Sequence, residues 1–194
     1  MSPATDDRLR EEVRLLGGLL GDVIRDEGGP DLFERVEAVR QASVAYHRDP
    51  SSSDTSRLEG LLAELSLDQA VGLAHGFATF SLLANVAEDR AGKRHARALS
   101  AEGARADTPE GALTRLAEVG RTTEDARELL AGALISPVLT AHPSEVRRKS
   151  VLDRIAAVSD LLDSCDQDDL ACAPDTLNRG LRRQTVILWA TRLV

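Results

Sequence analysis

Apolar residues recur at helical spacing through most of the chain. Val13, Leu16, Leu20 and Ile24 predict a first helix from Leu9 to about Asp26, with residues 1–6 as a frayed tail. Gly28-Gly29-Pro30 ends it, and a second helix, about Asp31 to Tyr46, carries Phe33, Val36 and Val39. His47 to Ser53 reads as a polar loop, and a short helix follows from about Thr55 to Leu65. Ser66 and Gln69 have the form of a capping box. They launch the longest helix of this region, whose apolar face is Val71, Ala74, Ala78, Leu82 and Val86. His75 lies close to that face and is expected to pack or cap, since no second His or acid stands at i+4 to share a metal. The mixed-sign run Glu88 to Arg97 reads as a solvated helix face, with His95 exposed.

Further on, Thr108-Pro109-Glu110 supplies an N-cap, a proline at N1 and an acid in the first turn, and Gly120 closes that helix. Thr122 or Thr123 caps the next, which runs to about Ala131. The helical pattern is then interrupted. Leu134 to Ala141 is an apolar run that stops at His142, followed by Pro143, Ser144, Glu145, Val146 and the bases Arg147, Arg148 and Lys149. This order predicts a short buried strand near residues 135–141, a turn carrying His142, and a helix from Ser144 or Glu145 to Asp163. Pro137 fits a strand only near its first residues. Residues 164–174 form an acidic loop, and Asp175 with Thr176 opens a last helix. Ile187, Leu188, Trp189, Leu193 and Val194 leave that helix with little to pack on, so a continuing chain or another chain is expected there. The fold class is mainly α, divided into a helical region, residues 1–132, and a second region, residues 133–194.

Composition narrows the reading. The chain has 194 residues, 42% of them hydrophobic, enough for a real core. Only 3% are aromatic, so Ala and Leu must fill that core, which favours helices. A net charge of −8 argues against a general nucleic-acid binder but leaves room for a small anion in a local basic pocket. No apolar run approaches the roughly 18–20 residues of a membrane span, and the polar start shows no signal peptide. Cys165 and Cys172 are too far apart for CxxC chemistry and are expected as free thiols in a reducing cytoplasm. Gly17, Gly18 and Gly21 match no phosphate-loop pattern and are expected to permit close helix packing.

Chemistry concentrates at His142. Pro143 biases it toward extended geometry, which aims the imidazole in a defined direction. Such a ring exchanges a proton near neutral pH or donates a hydrogen bond to an anion. At the end of a strand it would lie on the face where α/β barrels gather catalytic residues. A helix N-terminus and the bases Arg147 and Arg148 favour an anion nearby, although successive helical residues diverge too widely for all the bases to converge. On the residues alone, a capped helix after a buried strand, with an exposed histidine at the turn, is the simpler reading.

The stretch Val138 to Arg148 resembles the N-terminal active-site signature of the phosphoenolpyruvate carboxylases, with Ser144 where the family usually has threonine. Leu9 to Gly21 is similar to the family's first helix, Leu83-Ala84-Asn85-Val86-Ala87-Glu88 to its "NLANIAE" segment, and Ile187-Leu188-Trp189 to a helix ending "LW-T". The resemblance implies the helical N-terminal part of an α/β-barrel enzyme with His142 as a catalytic residue. It implies a cytoplasmic, usually homotetrameric enzyme that joins phosphoenolpyruvate and bicarbonate into oxaloacetate and phosphate, feeding the tricarboxylic acid cycle. Magnesium is implied as cofactor, with ligands and glycine- and arginine-rich loops that have no counterpart in this sequence. The chain alone is therefore expected to be inactive. Two other readings stay open: a stand-alone helical interaction module without catalysis, and phosphotransfer through His142.

Overall fold

The computed structural model describes residues 3–48, 52–101, 108–134, 136, 147–167 and 173–191. Helix α1 spans Pro3–Val23 and passes into a single π-helical stretch, Ile24–Gly28. The remaining helices are α2 (Pro30–Arg48), α3 (Ser52–Ala63), α4 (Leu67–Ala101), α5 (Pro109–Glu118), α6 (Thr123–Ala131), α7 (Lys149–Gln167) and α8 (Pro174–Ala190). No strand occurs among the described residues. The mainly α class is as the pattern predicts, and the expected strand near 135–141 lies outside the described residues apart from residue 136.

The core is made by α1, α4, α7 and α8. Leu16, Leu20 and Ile24 stack at four-residue intervals on one side of the first helix and its π continuation. They meet Leu83, Val86 and Ala87 of α4, Val151, Val158 and Leu162 of α7, and Leu181 and Leu188 of α8. Each buried Leu or Val contributes about 1.5–3 kcal/mol, and this shared core fixes the helix arrangement. Helix α2 packs on α4, and α3 on α2. Two glycines let the helices approach. A Cβ on Gly17 would lie 3.3 Å from the Phe80 ring, and one on Gly21 3.2 Å from the Phe33 ring.

Several boundaries differ from the pattern. Helix α1 already begins at Pro3, a residue suited to the first helical position, so residues 3–6 are helical rather than frayed. The break before α2 falls at Gly29, whose φ of 91° only glycine adopts comfortably. His47 is not in a loop: it lies in the last turn of α2, its ring edge-on to Tyr46. Helix α7 begins at Lys149, later than Glu145, and continues to Gln167, into the stretch whose acidic composition predicts a loop. Helix α8 is capped by Ala173 with Pro174 in the first turn, so Asp175 lies inside the helix instead of at its N-cap. Leu188 is fully buried and Trp189 is half-buried with its ring tilted against His75, so the chain's own helices cover the first and partly cover the second.

Other expectations hold at atomic level. The Ser66 hydroxyl accepts from the Gln69 amide, and the Gln69 side chain accepts from the Ser66 amide. Thr108 accepts from the Gly111 amide, Gly120 takes φ 76°, and Thr122 forms a full capping box with Asp125. His75 packs, with Nε2 2.8 Å from the Trp189 carbonyl oxygen. Over Leu67–Ala98, α4 has the length and mean hydropathy of a membrane span, contrary to what the apolar runs suggest. Its apolar residues Leu82, Leu83, Val86 and Ala87 are part of the core of the four-helix assembly. Cys165 is disulfide-bonded rather than free, and Cys172, the other cysteine, lies outside the described residues.

Candidate functional site

His142 lies outside the described residues, as do Ser144 and Glu145. The structure does describe the basic run that follows. Arg147 is half-buried and Arg148 exposed, both just before α7. The Arg148 carbonyl accepts from the Val151 amide at 2.9 Å and the Leu152 amide at 3.2 Å, which makes Arg148 the residue that starts the helix. Val151 is 2% exposed and pins this end to the core.

Cations at a helix start oppose the macrodipole, and α7 has no acid in its first turn. Lys149 is compensated by Asp153 one turn on, with Nζ 2.8 Å from both carboxylate oxygens. The Arg148 guanidinium adds its charge to the positive end of the helix. An exposed cation at the positive end of a helix is the kind of group that a phosphate or carboxylate could meet.

The orientation of α7 is set further along by groups that the sequence pattern does not single out. The mixed-sign run puts Arg90 on a solvated face, yet its side chain is 1% exposed. It donates to the Ser159 carbonyl at 3.1 Å, to Glu12 Oε1 at 3.3 Å, and to Asp163. Arg94 donates to the two Glu12 oxygens at 2.8 and 3.2 Å. This network ties α1, α4 and α7 together. Desolvated charges need such pairing, which is why the acids and arginines come in matched sets. The sequence does carry a signal: Glu12 continues the four-residue series of Leu16, Leu20 and Ile24, and Arg90 lies four residues after Val86. On the other side, Arg154 donates to Gln184 of α8 at 3.1 Å. His95 is half-buried rather than exposed.

Among the described residues, no three His, Cys, Asp or Glu side chains come together in a way that could hold a metal ion. These residues do not fit a magnesium site.

A family model, phosphoenolpyruvate carboxylase, matches residues 9–194. The chain belongs to the phosphoenolpyruvate carboxylase family. It is 42% identical over 192 residues to the phosphoenolpyruvate carboxylase of Rhodopseudomonas palustris (strain BisB5), covering 97% of this chain and 21% of that protein. The enzyme of Bradyrhizobium diazoefficiens is 42% identical over 198 residues, covering 97% and 20%. That of Burkholderia mallei (strain SAVP1) is 40% identical over 192 residues, covering 97% and 19%. The chain thus spans about a fifth of the length of the curated relatives it matches. In this chain, the four-helix core and its buried ion network hold α7 and its basic start in place.

Proposed function

We propose that this chain is the N-terminal portion of a phosphoenolpyruvate carboxylase, and that His142 with the basic start of α7 is its share of the active site. The observation that carries the reading is the match over 97% of this chain to enzymes of that name, of which it spans only 21% or less. The family barrel then begins after residue 132, with a first strand near residues 135–141 ending at His142.

The reaction places particular demands on these residues. A bicarbonate oxygen attacks the phosphorus of phosphoenolpyruvate, and the P–O bond to the enol oxygen breaks. Carboxyphosphate and the enolate of pyruvate result. Carboxyphosphate splits into carbon dioxide and phosphate, and the enolate carbon attacks carbon dioxide to give oxaloacetate. Apart from carbon dioxide, the substrates, intermediates and products are all anionic, so a hydrogen-bond donor and fixed cations lower the barrier by holding charge as it moves. His142 holds or transfers a proton at an oxygen of the carboxyphosphate. Arg148, exposed at the helix start, and Arg147 beside it are the candidate anion contacts. The family's magnesium would be held by residues of the remaining four-fifths, and so would the other phosphate contacts. A cytoplasmic homotetramer is the expected form of the whole enzyme.

By itself the chain gives no oxaloacetate in a coupled assay with phosphoenolpyruvate, bicarbonate and magnesium, because one histidine and a few bases cannot stabilise the full charge. Robust turnover by the isolated chain would overturn that. In an enzyme carrying this chain as its N-terminal portion, His142→Asn reduces carboxylation by about a hundredfold or more, the scale of a lost general acid–base. Near-normal turnover with an unchanged fold would remove His142 from the mechanism.

A further inference from the structure

Among the described residues, the α5–α6 hairpin buries few of its side chains. Among residues 108–134 only Gly111 and Ala126 are buried. Leu113 is 50% exposed, Val119 74%, Leu129 65%, Leu130 67% and Leu134 90%. Among the described residues, the two helices pack on each other and neither packs broadly on another helix. Their lengths are ten and nine residues, short of the roughly 12–15 at which an isolated helix is even marginal in water. Yet both are written to form, with Thr108 and Thr122 as side-chain caps. Well-capped short helices that expose this many large apolar side chains suit burial against protein.

We propose that the exposed apolar residues of this hairpin make an internal docking surface for the polypeptide that follows the matched region in the phosphoenolpyruvate carboxylases. The proposal rests on the reading of this chain as the N-terminal portion of such an enzyme. The occupant is set by length and position. The relatives carry about four-fifths of their residues outside the matched region. Leu134 also stands only four residues before the signature stretch that begins at Val138, which the proposed function places at an active site shared with that same remainder.

The test joins this chain in frame to the polypeptide that follows the matched region in the Rhodopseudomonas palustris BisB5 enzyme. Amide hydrogen exchange is compared between the joined and isolated chains. Peptides from 109–131 exchange at least about tenfold more slowly in the joined protein, and Leu129→Asp with Leu130→Asp restores fast exchange there. No slowing in a joined protein whose α4 amides stay protected overturns the proposal. The isolated chain gives a second decision that does not require the joined protein to fold. There the same double variant leaves the thermal midpoint unchanged and lowers binding of a hydrophobic dye. Marked destabilisation would show that this chain already buries the face. Protection that rises with concentration of the isolated chain would assign the face to a second copy. Carboxylation by the joined protein is measured alongside. Activity without hairpin protection sinks only the docking surface, and protection without activity sinks only the functional reading.

Discussion

Replacing Arg90 with methionine tests the assignment of the charged end of α4 to the interior. Methionine keeps much of the stem volume, so the cavity term stays small and the loss is chiefly electrostatic. The guanidinium is 1% exposed and serves Glu12, Asp163 and the Ser159 carbonyl. Removing one partner of a buried ion pair costs about 3–5 kcal/mol, whereas an exposed pair is worth about 0–1. Here the lower end applies. Glu12 retains Arg94 at 2.8 Å, and Asp163, 43% exposed, returns to water. A loss of about 3 kcal/mol is expected, or a midpoint lowered by about 6–12 °C at this chain length. The assay is urea unfolding followed by circular dichroism at neutral pH, repeated at high salt. Buried pairs are screened little, so the difference between wild type and variant persists in salt. Arg90→Lys falls between the two, because one ammonium cannot reach both carboxylates. A loss below about 1 kcal/mol, or one that vanishes in salt, would show that the run is a solvated face after all.

Gly29→Ala places a side chain at φ 91°, and a cost of about 1–3 kcal/mol in chemical denaturation is expected, with no loss of helix content. Thr122→Ala removes the α6 capping box, yet the hairpin is so thinly packed that the global midpoint barely moves; the change is read instead as faster amide exchange over residues 123–131. Arg40, donating to both Glu37 oxygens at 2.7 Å, holds the Glu37 carboxyl down from 4.5 to about 2, against the opposing effect of burial. Because the folded value is the lower one, the contribution is complete above pH 4.5 and is lost as pH falls toward 2. Half exposure of Arg40 keeps it below about 1 kcal/mol, so Glu37→Gln should flatten acid unfolding in that window only slightly.

The helices were legible because their signals are local. Period, caps and breakers act within a few residues, and Ser66 with Gln69, Thr108 with Pro109, and Gly120 stand where those rules place them. What the local signals leave out is contact made at a distance. Val151 pins the start of α7 to a core built by α1, α4 and α8, which no window around residue 149 contains. Trp189 looked stranded at the end of a helix, and only the fold brings α4 and its His75 beneath it.

The candidate site divides in the same way. By itself the sequence determined the family signature around His142 and the basic run after it, because chemistry-bearing residue types in fixed order are a linear property. The tertiary structure decided which charges are worth stability. Arg90 and Glu12 are 78 positions apart in the chain, and either alone reads as one more polar residue on a helix. Folding removes both from water, and in that low-dielectric setting the pair becomes a joint that holds α7 against α1 and α4.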